Sequence, residues 1–147
     1  FPRESITVLD GGNTTLTGVA FHPILSSPSF IYSVKMGYLG TGLPFAIGAK
    51  VAAPGRPVCM ITGDGAFGFN VMELETAARE QLPIVVLVAV DAAWGMEKTA
   101  YMAQGYGAND CGRKGHLAHR LQDLLPQRAD GWILGILRQA ISLRRRG

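Results

Sequence analysis

Val58-Cys59-Met60-Ile61-Thr62-Gly63-Asp64-Gly65-Ala66-Phe67-Gly68-Phe69-Asn70 runs into a helical stretch, and then into Leu82-Pro83-Ile84-Val85-Val86-Leu87-Val88-Ala89-Val90-Asp91. The order is apolar run, glycine-rich turn carrying an acid, helix, second apolar run, second acid. Val58 to Thr62 reads as a strand and Gly63 to Gly68 as the turn that follows it. Asn70 with Glu73 resembles a capping box opening a helix through about Glu80, with Val71, Leu74 and Ala78 as its buried stripe. Pro83 stops any continuation. The nearly unbroken β-branched run Ile84 to Val90 has the character of a parallel strand covered on both faces. Strand, helix and strand in this order make a parallel unit.

The flanking sequence extends the pattern. Ile6 to Leu9 reads as a short buried strand, and Asp10-Gly11-Gly12-Asn13-Thr14-Thr15 as a turn by composition. Residues 22–36 contain Pro23 and Pro28 with serines between them, which predicts a loop with little regular structure. Gly37-Tyr38-Leu39-Gly40-Thr41-Gly42-Leu43-Pro44 then leads into a small-residue helix that stops before Pro54-Gly55. Pro44 suits a first helical turn, where its missing N–H costs nothing. The expected fold is α/β, a parallel sheet flanked by helices. Ligands of such sheets sit beyond the carboxyl ends of the strands. Asn13, Asp64 and Asp91 occupy three such ends, so they are expected to converge.

Composition bounds the rest. A chain of 147 residues, 48% hydrophobic and with 19 glycines, has the size and make-up of one compact α/β domain and not of a disordered segment. The longest apolar stretch, Ile84 to Val90, is far short of the roughly 20 residues that cross a bilayer, so no membrane partner is expected. No basic start followed by an apolar core appears in residues 1–30, and a cytoplasmic setting is the default. The sequence opens on Phe1 and reads as a piece cut from something longer, a single incomplete domain. Cys59 and Cys111 give no disulfide framework. The net charge of +3 is uneven: residues 1–109 carry 6 Lys/Arg against 8 Asp/Glu, and residues 110–147 carry 8 against 3. No aromatic or glycine pattern accompanies the basic end, so no nucleic-acid partner is expected.

Gly63-Asp64-Gly65-Ala66-Phe67-Gly68 fits the dinucleotide pattern G-x-G-x-x-G, and Asp91 could serve as its ribose acid, so a nicotinamide-dependent oxidoreductase is one reading. A non-catalytic nucleotide-binding module is another. The acid between the first two glycines weighs against both, because it would repel a pyrophosphate unless a cation stood between them. With the cation supplied, Asp64 and Asp91 become hard oxygen ligands for Mg²⁺, which bridges to a diphosphate. The N–H groups of Gly65 and Ala66 are then left to hold phosphate.

The Gly-Asp-Gly-Ala-Phe run, with a second acid 27 positions after Asp64, resembles the thiamine-diphosphate motif. Together with Gly37 to Lys50 upstream and Met72 to Val88 between the acids, it looks like the diphosphate-binding domain of the acetolactate synthase, benzaldehyde lyase and oxalyl-CoA decarboxylase group. The likeness covers residues 5–109, and residues 1–109 are read as that domain. The resemblance implies thiamine diphosphate and Mg²⁺ as cofactors, with Asp64, Asp91 and the Ala93 carbonyl as metal ligands. It implies diphosphate binding through Gly63, Gly65 and Ala66, and through Asn13 and Thr14 of the first turn. Leu39 falls where the family places a large apolar side chain that bends the cofactor. Met96, and with it Trp94, would line the substrate side unless they are simple packing residues. The reaction implied makes or breaks a C–C bond beside the carbonyl of a small 2-oxo acid or 2-hydroxy carbonyl compound.

Two departures follow from the same resemblance. The family's usual Asn-Asn or Asn-Asp pair is Val90-Asp91 here, so Asp91 can ligate but Val90 makes no amide hydrogen bond. The glutamate that activates the aminopyrimidine belongs to a separate pyrimidine-binding domain, on the missing part of the chain or on another subunit of a homo-oligomeric parent. This chain alone should therefore be inactive. From Asp110 onward the resemblance stops, and residues 110–147 read as an atypical basic tail, divergent or frameshifted, with a closing helix over Trp132 to Leu143. His116 and His119 there read as surface histidines, and Arg144-Arg145-Arg146 as a solvated run.

Overall fold

A computed structural model describes residues 2–33, 35–91 and 93–106, with 133–138 as backbone. In chain order the elements are β1 (Ile6–Asp10), α1 (Asn13–Phe21), β2 (Phe30–Tyr32), a 3₁₀ turn (Lys35–Gly37), α2 (Gly42–Ala52), β3 (Val58–Gly63), α3 (Asp64–Asn70), α4 (Glu73–Arg79), β4 (Val85–Val90), α5 (Gly95–Ala103) and β5 (Ile133–Arg138). They form one sheet in the order β2-β1-β3-β4-β5. The first four strands run parallel, with Val8 beside Met60 and Met60 beside Val86 in register, and β5 runs antiparallel to β4.

The alternation of the strands distributes the core. Val8, Met60, Val86, Val88 and Val90 turn to one face, where Leu43 and Ala46 of α2, Phe67 of α3 and Ala77 of α4 bury against them. Leu9 turns to the other face, where α1 lies so close that a Cβ on Gly18 would stand 2.5 Å from its Cδ1. The chain leaves β1 toward β2 and leaves β3 toward β4, in opposite directions along the sheet. The carboxyl ends of β1 and β3 therefore border the crevice at the point where strand order reverses, the place such sheets offer to ligands.

Several expectations need correction. The composition-based turn at residues 10–15 gives way at Asn13 to α1, whose exposed residues left no apolar periodicity to read. The proline-containing stretch 22–36 holds β2, which pairs with β1 by backbone bonds that its side chains do not advertise. Gly63 to Gly68 is not a turn: Gly63 ends β3 and a helix starts at Asp64 itself. The helix expected from Asn70 through about Glu80 is α4 alone, Glu73–Arg79, while Asn70 ends α3. No capping box forms, because the Asn70 amide donates to the Gly40 carbonyl at 2.6 Å and Glu73 accepts from the Thr76 hydroxyl at 2.8 Å. Ala77, not Ala78, is the buried alanine of α4.

β4 is less covered than expected. Val86, Val88 and Val90 are buried, but Val85 on the opposite face is 37% exposed. In place of a closing helix over Trp132 to Leu143, residues Ile133–Arg138 form an edge strand. His116, His119 and Arg144-Arg145-Arg146 lie outside the described residues. No helix among the described residues is long and apolar enough to cross a membrane.

Candidate diphosphate and metal site

The crevice between β1 and β3 opens into a cavity of about 470 Å³. Asn13, Thr14, Leu39, Gly63, Asp64, Gly65, Ala66, Asp91, Ala93, Trp94 and Met96 all line it. Residues from four separate stretches, spread over more than half the sequence, are thus brought to one hollow. Val90 is absent from that lining and packs in the core, where its neighbours are apolar.

Asp64 opens α3 and is only 2% exposed. Its Oδ1 accepts the N–H of Gly65 at 2.9 Å. A helix start leaves its first N–H groups without intrahelical partners and carries partial positive charge, which makes it a favourable place for a carboxylate. Ala66, in the same first turn, is buried and lines the cavity. Asp91 follows β4 and is exposed, with Oδ1 accepting the Ala93 N–H at 3.0 Å. Its other oxygen and the Asn13 amide meet over Gly95: a Cβ there would collide with Asp91 Oδ2 and stand 3.1 Å from Asn13 Nδ2. Glycine at the first position of α5 therefore leaves both side chains where they are.

The other glycines make room in the same way. A Cβ on Gly65 would come within 2.9 Å of the Trp94 ring, and one on Gly12 within 3.1 Å of Met96. A Cβ on Gly63 would touch the Thr14 hydroxyl at 3.4 Å. Trp94 also stacks on Phe69, ring centroids 6.3 Å apart. The result is a cradle of bare backbone with two carboxylates on its rim. Among the described residues no three His, Cys, Asp or Glu side chains cluster as a self-sufficient metal site. Two carboxylates and a backbone carbonyl are the donor set of a hard divalent cation that completes its shell with phosphate oxygens and water. The residues present fit that group.

Asp10 supports the cradle from behind. It is buried, and its carboxylate accepts N–H bonds from Gly11 at 2.8 Å, Gly40 at 3.2 Å and Gly42 at 2.8 Å. Burial pushes its carboxyl above the ordinary 3.8, opposed by those three donors. Sequence reasoning placed Asp10 only in a phosphate-side turn, read Asn70 as a helix cap, and missed Gly95. The hydrogen bonds of Asp10 and Asn70 to the Gly40 region each span 30 residues, which local patterns do not register.

Residues 10–125 match the family model described as thiamine pyrophosphate enzyme, C-terminal TPP binding domain. The chain belongs to this family. It is 36% identical over 97 residues to a sulfoacetaldehyde acetyltransferase of Alcaligenes xylosoxydans xylosoxydans, covering 66% of this chain and 16% of that protein. It is 38% identical over 95 residues to the human 2-hydroxyacyl-CoA lyase 2, covering 63% and 15%. It is 35% identical over 97 residues to a probable acetolactate synthase of Mycobacterium bovis, covering 65% and 18%. The chain thus spans less than a fifth of the length of these relatives. A thiamine diphosphate-dependent 4-hydroxybenzoylformate decarboxylase from Rhodococcus jostii RHA1 shares the fold, with a TM-score of 0.69 at 24% identity, over 83% of this chain and 23% of that one.

Membership in the thiamine pyrophosphate family implies thiamine diphosphate as the cofactor and decides against the nicotinamide reading. The local structure agrees. A dinucleotide pyrophosphate lies at the helix N-terminus against the glycine backbone, whereas here a buried carboxylate, Asp64, stands between the first two glycines and the Trp94 ring lies against Gly65.

Proposed function

We propose that the cavity holds the diphosphate of thiamine diphosphate through Mg²⁺, with Asp64, Asp91 and the Ala93 carbonyl as the protein's ligands. Gly63, Gly65, Ala66, Asn13 and Thr14 hold the phosphates, the two glycines by leaving their Cα atoms bare and Ala66 through its backbone N–H. Leu39 forms the apolar wall against which the cofactor's rings rest, and Met96 with Trp94 borders the substrate side. The observation that carries this reading is the meeting of two strand-end carboxylates on one glycine cradle.

The cofactor, when bound, supplies carbanion chemistry at a carbon next to a carbonyl. This chain's part is to bind, orient and shield. Asp64 and Asp91 neutralise the cation, and the start of α3 offers N–H donors to phosphate oxygen. The parent is an acetolactate-synthase-like enzyme that decarboxylates or joins small 2-oxo acids or 2-hydroxy carbonyl compounds. Its pyrimidine-binding domain lies elsewhere in the parent chain or on a separate subunit, in a homo-oligomer. The small share of its relatives' length that this chain spans supports that division.

Calorimetry on the full chain tests the reading. Thiamine diphosphate is expected to bind only when Mg²⁺ is present, and Asp64→Ala to abolish that binding. Metal-independent binding, or an Asp64→Ala chain that binds as well as the wild type, would overturn it.

A further inference from the structure

Leu39 lines the cavity from a turn that belongs to neither phosphate-side strand, and that turn is fastened at Gly40 and Gly42. Gly40 donates its N–H to Asp10 Oδ1 at 3.2 Å and accepts the Asn70 amide on its carbonyl at 2.6 Å. Both peptide groups of one residue are therefore held by side chains from two other elements. Asp10 is the last residue of β1, just before Gly11-Gly12 and the start of α1 at Asn13. Asn70 is the last residue of α3, whose first residue is Asp64. Gly40 has φ +86°, and a Cβ on it would stand 2.5 Å from Phe69 Cβ. Gly42 is seated likewise, its N–H on Asp10 Oδ2 at 2.8 Å and its Cα under the Asp10 Cβ and the Met60 methyl.

From this geometry we infer that Asp10 and Asn70 are positioning residues that clamp Gly40 and thereby set Leu39 at a fixed height above the diphosphate cradle. The inference rests on the diphosphate reading above. The clamp touches neither phosphate nor metal. It fixes the distance between the wall that meets the rings and the turns that hold the phosphates. Two charge-assisted bonds from Asp10 and one amide bond from Asn70 anchor a turn that has no regular hydrogen-bonding partner strand. A loosened clamp lets Leu39 move without disturbing Asp64, Gly65 or Asp91.

That separation gives the test. The full chain is titrated in Mg²⁺ with thiamine diphosphate and, separately, with inorganic pyrophosphate, which lacks the rings. The variants are Asn70→Asp, which keeps the shape and removes the donor, and Asp10→Asn. The wild type is expected to prefer thiamine diphosphate. Both variants should lose about tenfold of that preference, in the range of supporting-residue effects. Because Asp10 also holds the Gly11 N–H, the pyrophosphate arm is read on Asn70→Asp alone, whose amide bonds only the Gly40 carbonyl. There pyrophosphate binding should stay within about twofold. Should Asp10→Asn fail to fold, Asn70→Asp carries the test alone. Parallel loss of both ligands, or an unchanged preference, overturns the clamp and leaves the diphosphate reading standing. A wild-type chain that binds neither ligand in Mg²⁺ overturns the diphosphate reading, and the clamp with it.

Discussion

The acids at the ends of β3 and β4 stand in opposite settings although they face one cavity. Asp64 is 2% exposed, in the first turn of a helix whose Phe67 is part of the core. Asp91 is exposed, with its Oδ1 accepting the Ala93 N–H at 3.0 Å. Packing therefore fixes the first acid as firmly as it fixes β3. The second is placed by a short connection and by the lack of a side chain at Gly95. A divalent cation binding here meets one ligand that is already in place and another that the metal itself must help to fix.

The comparison breaks most visibly if the two acids respond alike to the same change. Asp64→Asn keeps an oxygen for the Gly65 N–H but removes the charge from a helix start, so it should cost folding stability by about 1 kcal/mol. It should also weaken Mg²⁺-dependent binding of thiamine diphosphate by about 100-fold. Asp91→Asn should weaken binding by about tenfold and leave the unfolding midpoint within about 0.5 kcal/mol, as expected of an exposed side chain. Calorimetry and denaturant titration of both variants separate the two effects. Equal stability losses would mean that Asp91 is as built-in as Asp64.

Gly95→Ala sharpens the contrast without touching either acid. The added Cβ would collide with Asp91 Oδ2 and press on Asn13 Nδ2, so Asp91 must turn away. Alanine also favours a helix over glycine by up to about 1 kcal/mol, so the fold should be no weaker. The expected result is a chain as stable as the wild type, or more so, whose Mg²⁺ affinity falls by about fivefold to tenfold. A stable variant with wild-type metal affinity would show that Asp91 is not held through Gly95.

The same division explains what the sequence disclosed. The β3, helix and β4 pattern was legible because β-branched runs and a strand-end acid are local signals. Two strand ends in a parallel sheet must lie side by side, and so the meeting of Asp64 and Asp91 in one cavity could be foreseen. α1 was not legible: it buries no residue, and its Asn-Thr-Thr start reads equally well as a turn. β2 is three residues long and follows a serine-proline stretch. Asn70 was misassigned for a physical reason. An Asn three residues before a Glu favours a cap when nothing else competes, but here its amide satisfies a carbonyl that the Gly40 turn leaves without a strand partner.

Asp10 supplies the smallest and most discriminating prediction, because it is a third acid whose setting opposes two forces. Burial favours its neutral form, while three N–H donors favour the carboxylate; burial wins, and the carboxyl is held above 3.8. A carboxyl whose folded value lies above its unfolded one binds the proton more readily when folded. Its contribution to stability is therefore complete below pH 3.8 and is lost as the pH rises through the raised folded value. Asp10→Asn removes the titration and imposes an offset that does not vary with pH. The difference in unfolding free energy, wild type minus Asp10→Asn, should accordingly fall as the pH rises above 3.8 and through the raised folded value. Denaturant titrations at several pH values read that slope directly. A difference that rises instead would mean that the N–H bonds from Gly11, Gly40 and Gly42 outweigh burial. Asp10 would then behave as Asp64 is argued to behave, a buried anion made welcome by backbone donors, and the Gly40 turn would be held more strongly than its geometry alone indicates.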